Sequence, residues 1–331
     1  MARKRPARDE PVSIWSEKDM LEGKTVDALV VILRSRGCGW SKESGCLMCG
    51  YNQDSLDTIT GTDLISQFGK AMEKHAGQPF IKIYTSGSFL DPGEIEPKAR
   101  DSILGLAGQK ASHVLVESRP EFVSQANLDA ALAHVKTLEV AIGLETANDD
   151  VRSRCINKGF AFKNFERACK TVADAGASVR TYLLLKPPYM TEGDAIADTL
   201  GSIERAGKMS QTISVNPMNV QRGTVVESLW RKKLYRPPWL WSLLSVLERG
   251  SKLTDARLMS APSGGGSNRG AHNCGKCDEG LLKAIEKFSL SGDTSDLKSG
   301  GCKCKEAWLD QLDAEPFMGT AGDIQRLAPP Q

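Results

Sequence analysis

Arg36-Gly37-Cys38-Gly39-Trp40-Ser41-Lys42-Glu43-Ser44-Gly45-Cys46-Leu47-Met48-Cys49-Gly50-Tyr51 is the stretch whose reading decides the fold. Three cysteines fall within twelve residues, spaced Cys-x7-Cys-x2-Cys, straight after an apolar run from Ala28 to Leu33. Glycines at 37, 39, 45 and 50 mark a loop rather than a helix. A loop lets three thiols turn toward one point. Thiolates are soft ligands that suit iron–sulfur clusters or zinc. A structural zinc usually takes four ligands, and no fourth Cys or His lies close by in the sequence. Three thiolates on a four-iron cluster leave one iron open to a small molecule. The competing readings are a zinc loop completed from far along the chain, and three unrelated thiols.

A chain of 331 residues has room for one large domain and a smaller one. Its net charge of +2 does not by itself argue for nucleic-acid binding. Basic residues gather at the start, Arg3, Lys4, Arg5 and Arg8, in what reads as a solvated arm. The sequence shows no membrane-length apolar run and no signal-peptide pattern. Nine cysteines, clustered in metal-like spacings, point to the reducing cytoplasm and not to secreted disulfides. Cys155 and Cys169 stand alone and read as small buried hydrophobes.

Residues 1–25 are expected to be a polar N-terminal arm. Beyond it, apolar runs at 28–33, 80–84, 113–116, 138–144, 179–185 and 213–215 alternate with amphipathic stretches at 63–75, 96–108, 127–134, 162–175 and 194–206. Such alternation predicts α/β structure built of βα units around a parallel sheet. In barrels of such units, function collects at the C-terminal ends of the strands. The second run is followed by Ser86-Gly87-Ser88-Phe89-Leu90-Asp91, and the third by Glu117-Ser118-Arg119-Pro120-Glu121-Phe122. Glu117 and Arg119 together offer partners for the two charges of an amino acid, or form a local salt bridge. The fourth run closes in Gly143-Leu144-Glu145, and the sixth leads to Asn216, Asn219, Gln221 and Arg222, polar groups that bind a ligand or cap the loop.

The tail carries a second metal-like pattern. Cys274-x2-Cys277 and Cys302-x-Cys304 are two close pairs, a zinc-type signal with a second iron–sulfur cluster as the alternative. Upstream, the glycine-rich loop at 263–270 holds one arginine and lacks the Lys-Ser/Thr ending of a P-loop. Aromatics in Tyr235-Arg236-Pro237-Pro238-Trp239-Leu240-Trp241 are available for base stacking or for packing in a seam.

Taken together, these motifs resemble the archaeal archaeosine-synthase radical S-adenosylmethionine subunit family. The resemblance rests on the Cys38, Cys46, Cys49 loop followed by Gly50-Tyr51, on Tyr84-Thr85-Ser86-Gly87-Ser88-Phe89-Leu90-Asp91, and on Glu117-Ser118-Arg119-Pro120-Glu121-Phe122. It continues through Gly143-Leu144-Glu145, Ile156-Asn157-Lys158-Gly159-Phe160, Asn219-Val220-Gln221-Arg222-Gly223-Thr224, Arg236-Pro237-Pro238-Trp239-Leu240-Trp241 and the glycine-rich loop. The first cysteine gap is longer than the Cys-x3-Cys-x2-Cys usual in radical S-adenosylmethionine enzymes.

The resemblance implies a partial (β/α)6 barrel over residues 26–260 and a small C-terminal Cys-rich, tRNA-contacting domain over 261–331. It implies a 4Fe-4S cluster on Cys38, Cys46 and Cys49. S-adenosyl-L-methionine would be held by Ser86, Gly87, Ser88, Glu145 and Asn216, with Asp91 standing in for the acid usual in such a turn. Zinc or a second cluster would sit on Cys274, Cys277, Cys302 and Cys304, and the amino-acid end of the substrate on Glu117 and Arg119. The implied activity is a lyase step in archaeosine biosynthesis. A transglycosylase-like partner joins lysine to a 7-deazaguanine in the tRNA D-loop, and the carbon–nitrogen bond is then cleaved to leave the amidine. The alternatives are another radical RNA modification such as methylthiolation, and a non-catalytic zinc-stabilised RNA-binding protein.

Overall fold

The computed structural model describes residues 7–298 and 301–317. Arg3, Lys4 and Arg5 of the expected arm, and residues 299–300 and 318–331 of the expected C-terminal domain, lie outside the described residues. In chain order the elements are β1 (Ser13–Leu21), β2 (Lys24–Ile32), α1 (Gly39–Glu43), α2 (Gly61–Met72), β3 (Phe80–Tyr84), α3 (Pro97–Lys110), β4 (His113–Ser118), α4 (Gln125–Leu132) and β5 (Thr137–Glu145). There follow α5 (Asp149–Val151), α6 (Phe162–Asp174), β6 (Ser178–Leu185), α7 (Glu192–Ala206), β7 (Thr212–Pro217), α8 (Val225–Arg231), α9 (Leu240–Gly250), β8 (Arg257–Met259), α10 (Asp278–Ser291) and α11 (Cys304–Ala314).

Among the described residues, eight strands form one sheet in the order β1-β2-β3-β4-β5-β6-β7-β8. Strands β2 to β5 pair in parallel, with Val31 opposite Ile83 and Val116 opposite Val140. β7 and β8 also run parallel. Each βα unit advances one place in a constant direction, as in a barrel; a doubly wound sheet reverses at a switch point. The six apolar runs became β2 to β7. They are buried on both faces, the mark of interior parallel strands: Ala28 to Val31 are at most 2% exposed. Helix α2 opens with a reciprocal cap in which the Asp63 amide donates to the Thr60 hydroxyl at 3.2 Å and the Thr60 amide donates to Asp63 at 2.8 Å. It buries Leu64, Phe68 and Ala71.

Two strands were not foreseen. Residues 13–21, read as part of a polar arm, are β1, antiparallel to β2 with Leu21 opposite Lys24. A two-residue turn joins them, Glu22 at φ +50° and Gly23 at φ +74°, the backbone that a tight hairpin requires. β1 buries little besides Asp19, so it shows no apolar alternation. β8 is three residues long and gives no periodic signal.

The chain forms two compact units. The first comprises Met1–Ser44, Tyr51–Gly143 and Lys163–Arg180; the second comprises Gly45–Gly50, Leu144–Phe162 and Thr181–Gln331. Within the first unit, charged side chains on the strands form a buried network. Lys82 Nζ lies 2.5 Å from Asp19 and 2.6 Å from Glu17. Arg180 reaches Asp19 at 2.9 Å and grips both oxygens of Glu139, at 3.0 and 3.1 Å. His113 Nε2 lies 3.3 Å from Glu139. Burial works to raise the Glu139 pKa, but the Arg180 charge and the hydrogen bonds from His113 and Arg180 outweigh it and hold the carboxyl at about 2.

Asp19→Ala leaves two buried cations without their shared carboxylate. It should destabilise the protein by about 3–5 kcal/mol, seen in chemical denaturation. Because the folded pKa of Glu139 lies below its ordinary 4.5, its stabilising contribution is complete above that pH and is lost as pH falls from about 4.5 toward 2. A Glu139→Gln variant should lose that part of the acid sensitivity in pH-dependent unfolding.

Candidate functional site

In the first unit, the chain leaves β2 and reaches Cys38 immediately before α1. The Cys38 amide donates to Asn52 Oδ1 at 3.2 Å. The turn after β3 lies against this cysteine. A Cβ placed on Gly87 would be 2.7 Å from Cys38 Cβ and 2.8 Å from Cys38 Cα, so only glycine fits. The turn is wound around a carboxylate that sequence reasoning missed. Glu94 accepts the amides of Ser86 and Gly87, each at 3.1 Å, and of Ser88 at 2.6 Å, and also takes the Ser35 hydroxyl. Burial pushes the Glu94 pKa up, opposed by hydrogen bonds from Ser35, Ser88 and Thr85. Asp91, the acid offered from sequence, accepts the Gly93 amide at 2.8 Å and shapes its own turn. Two acids three residues apart after Ser-Gly-Ser were the available signal, and nothing local distinguishes them. Ser86 Oγ accepts from Ser55 at 2.9 Å and donates to the Tyr51 carbonyl at 3.3 Å.

Glu117 is near the end of β4, where its carbonyl accepts the Phe89 amide at 2.8 Å. The Arg119 amide donates to Ser88 Oγ at 2.9 Å. The Arg119 guanidinium is buried, paired with Glu121, and 5.6 Å above the Trp40 ring. Arg119 thus has a local salt bridge to Glu121, an acid that the sequence reading had not paired with it.

In the second unit, the loop bearing Cys46 and Cys49 is stitched to motifs distant in sequence. The Leu47 amide donates to the Ile156 carbonyl at 2.9 Å, and Asn157 Nδ2 donates to the Gly45 carbonyl at 2.8 Å. The Gly50 amide donates to Gln221 Oε1 at 2.5 Å, and the Val225 amide to the Leu47 carbonyl at 3.1 Å. The roles of Asn157 and Gln221 as loop anchors were not legible beforehand. Glu145 ends β5 at φ +65°, a left-handed backbone uncommon outside glycine, and pairs with Lys158 at 2.6 Å. Asn216 Oδ1 accepts the Ser214 hydroxyl at 3.0 Å.

Among the described residues, one group of potential ligands has all its ligand atoms within 4.8 Å: Cys274, Cys277, Cys302 and Cys304. Cys155 and Cys169 are buried as expected, and burial pushes both thiols up to about 12. Cys38, Cys46 and Cys49 are partly exposed. The aromatics at 239–241 pack inward: Trp239 Nε1 donates to Gln311 at 2.8 Å and Trp241 Nε1 to Cys304 Sγ at 3.3 Å. Arg269 of the glycine-rich loop binds the Val220 carbonyl at 3.0 Å and Glu227 at 2.8 Å. Also in this unit is a surface cavity of about 410 Å³ whose lining includes Trp230, Lys233, Arg236, Asn268 and His272.

The sheet winding, one βα unit after another in a constant direction, places the chain in the α/β partial-barrel fold class. A structure sharing this fold is that of the archaeal Methanocaldococcus infernus Elp3 with an N-terminal deletion. It aligns with a TM-score of 0.50 at 14% identity, over 70% of this chain and 60% of that one. No family model matches the chain. The chain is 42% identical over 317 residues to the archaeosine synthase subunit beta of Methanosarcina acetivorans, covering 93% of this chain and 92% of the relative. It is 40% identical over 308 residues to that of Thermococcus kodakarensis, covering 90% and 95%. The chain belongs to the archaeosine synthase subunit beta family.

Gly87→Ala tests the close approach to Cys38. Overpacking against the Glu94 carboxylate and against Cys38 Cβ and Cα should destabilise the fold by about 1–3 kcal/mol. Thermal denaturation should show the drop.

Proposed function

We propose that this protein is a radical S-adenosylmethionine lyase that acts on tRNA in the formation of archaeosine. Cys38, Cys46 and Cys49 are the ligands of a 4Fe-4S cluster in this reading. The donor set suits it, because these thiols are partly exposed while Cys155 and Cys169 are buried and held protonated. When bound, the cluster and S-adenosyl-L-methionine supply one-electron cleavage and hydrogen abstraction. The protein's part is to position and shield. Ser86, Gly87, Ser88, Glu145 and Asn216 are assigned to S-adenosyl-L-methionine. The observation that carries this reading is the Ser86-Gly87-Ser88 turn, whose amides are taken up by Glu94 and whose glycine lies against Cys38. A cofactor turn abutting a cluster cysteine is what the chemistry requires.

The substrate in this reading is tRNA bearing a lysine-modified 7-deazaguanine in its D-loop. The bond cleaved is the carbon–nitrogen bond of the lysine adduct, and the amidine stays on the base. The relatives' name, subunit beta, implies a companion subunit; the proposed companion is the transglycosylase-like, lysine-transferring one. The base has to be exposed before reaction, as for other enzymes that act on nucleobases. Glu117 and Arg119 are assigned to the α-amine and α-carboxylate of the lysine. The 410 Å³ cavity, with Trp230, Lys233 and Arg236 in its lining and the exposed Arg231 and Lys232 adjacent in sequence, suits a nucleotide and its phosphate.

The deciding experiment incubates reconstituted protein, reductant and S-adenosyl-L-methionine with lysine-adduct tRNA and weighs the released nucleoside. Archaeosine is the expected product; an unchanged adduct, or a methylthiolated base, overturns the reading. Arg119→Ala should reduce turnover with S-adenosyl-L-methionine affinity unchanged. Loss of that affinity in the absence of tRNA would move Arg119 to the cofactor. Lys232→Glu with Lys233→Glu should weaken tRNA binding by on the order of tenfold at low salt and flatten its salt dependence.

A further inference from the structure

The tail cysteines form a path of short edges. Cys302 Sγ lies 3.7 Å from Cys274, Cys274 lies 4.0 Å from Cys277, and Cys277 lies 3.6 Å from Cys304. Sulfurs bound ~2.3 Å from a single zinc ion sit at the corners of a tetrahedron with edges of ~3.8 Å. The observed edges match that value, and every sulfur lies within 4.8 Å of every other. A four-iron cluster carries its cysteines outside the cube of metal atoms, much further apart. A two-iron cluster keeps two sulfurs close on each iron but separates the two pairs. Here no division into pairs works. Grouping Cys274 with Cys302 leaves the 4.0 Å edge between pairs, and grouping Cys274 with Cys277 leaves both shorter edges between pairs. Disulfides require about 2.0 Å.

The turn and the donors around the tetrad hold its sulfurs in place. Cys274-Gly275-Lys276-Cys277 turns through Gly275 at φ +84°, which brings the two sulfurs to one side. Asp278 accepts the Asn273 amide at 3.0 Å and the Gly275 amide at 3.2 Å, fixing that turn. Side chains donate to sulfur: Asn273 Nδ2 to Cys277 at 3.4 Å and Trp241 Nε1 to Cys304 at 3.3 Å. Such donors stabilise metal-bound thiolates. Cys277 immediately precedes α10 and Cys304 begins α11, so two helix N-termini face the negative charge that four thiolates bring. Asn273 Oδ1 also accepts the Leu240 amide at 2.9 Å, at the start of α9.

We propose that Cys274, Cys277, Cys302 and Cys304 hold one tetrahedral zinc ion, which fastens the starts of α9, α10 and α11 together. The thiols release their protons as the four zinc–sulfur bonds form, so binding tightens as pH rises. The site has no open position for a substrate. It gives the chain no second iron–sulfur cluster of the kind methylthiolation needs.

The test uses the full chain with Cys38, Cys46 and Cys49 all replaced by Ala, leaving the tetrad as the site in question. After anaerobic reconstitution with iron, sulfide and zinc, metal analysis should find one zinc per chain and no acid-labile sulfide. X-ray absorption should show a shell of four sulfurs at ~2.3 Å and no metal–metal distance. Iron with labile sulfide in this variant, or no bound metal at all, would overturn the proposal. If the triple variant does not fold, cobalt titration of the wild-type chain replaces it. One tetrahedral tetrathiolate cobalt spectrum is expected, and it should vanish in Cys302→Ala/Cys304→Ala. Survival of the spectrum in that double variant would equally reject the site. Neither result bears on the reading of Cys38, Cys46 and Cys49.

Discussion

A buried carboxylate has to be satisfied, and the turn beside Cys38 is built on that constraint. Glu94 is 1% exposed and is surrounded by the amides of Ser86, Gly87 and Ser88 and the Ser35 hydroxyl. An unpaired carboxylate at that depth would cost several kcal/mol. The three amides hold it, and in holding it they fix the path of the backbone after β3. That path brings Gly87 so close to Cys38 that a methyl group has no room. The strand end, the turn and the first cysteine are therefore one object. A substitution at Glu94 would release three amides at once and free the turn from the cysteine.

The strands themselves carry a second set of buried charges. Lys82, Arg180, Asp19 and Glu139 are neutralised pairwise within the first unit, and they occupy positions that apolar side chains would otherwise fill. Such a network is weak evidence for added stability, since desolvation offsets most of the attraction. What it does supply is register. Shifting β1 by one residue would turn Asp19 to the other face and take from Lys82 and Arg180 the carboxylate they share. The short polar β1 is thereby fixed on β2 even though it buries almost no apolar surface.

In the second unit, fixing of the backbone falls to loop-to-loop hydrogen bonds and to aromatic donors. Gln221, Asn157 and Ile156 hold the segment carrying Cys46 and Cys49 through hydrogen bonds to its backbone. Trp241 and Trp308 serve the tail in a similar way, one donating to Cys304 and the other to Ser242 at 2.9 Å. Ser242 in turn donates to Glu192, which closes a buried pair with Lys186. The tryptophans that look available for base stacking in the sequence are instead hydrogen-bond donors in a packed seam.

Period and spacing are local properties, and the sequence by itself determined what depends on them. The six apolar runs are strands β2 to β7, because residues buried on both faces leave an unbroken apolar signature that no tertiary contact is needed to reveal. The cysteine spacings marked both candidate metal regions, and the motifs at 84–91, 143–145 and 219–224 carried the family. What joins distant residues was decided only by the tertiary structure. β1 became a strand by pairing with β2 through the Glu22-Gly23 turn, and its Asp19 found buried cations that its own sequence does not announce. The acid in the Ser86-Gly87-Ser88 turn is Glu94 and not Asp91, a choice made by which carboxylate the amides enclose. Arg119 found Glu121 beside it. The tail cysteines were two pairs in the sequence, a zinc-type signal with a second cluster as the alternative. That the four sulfurs all come within 4.8 Å of one another was decided by the tertiary structure, because spacing along a chain says which sulfurs can meet but not how far apart they come to rest.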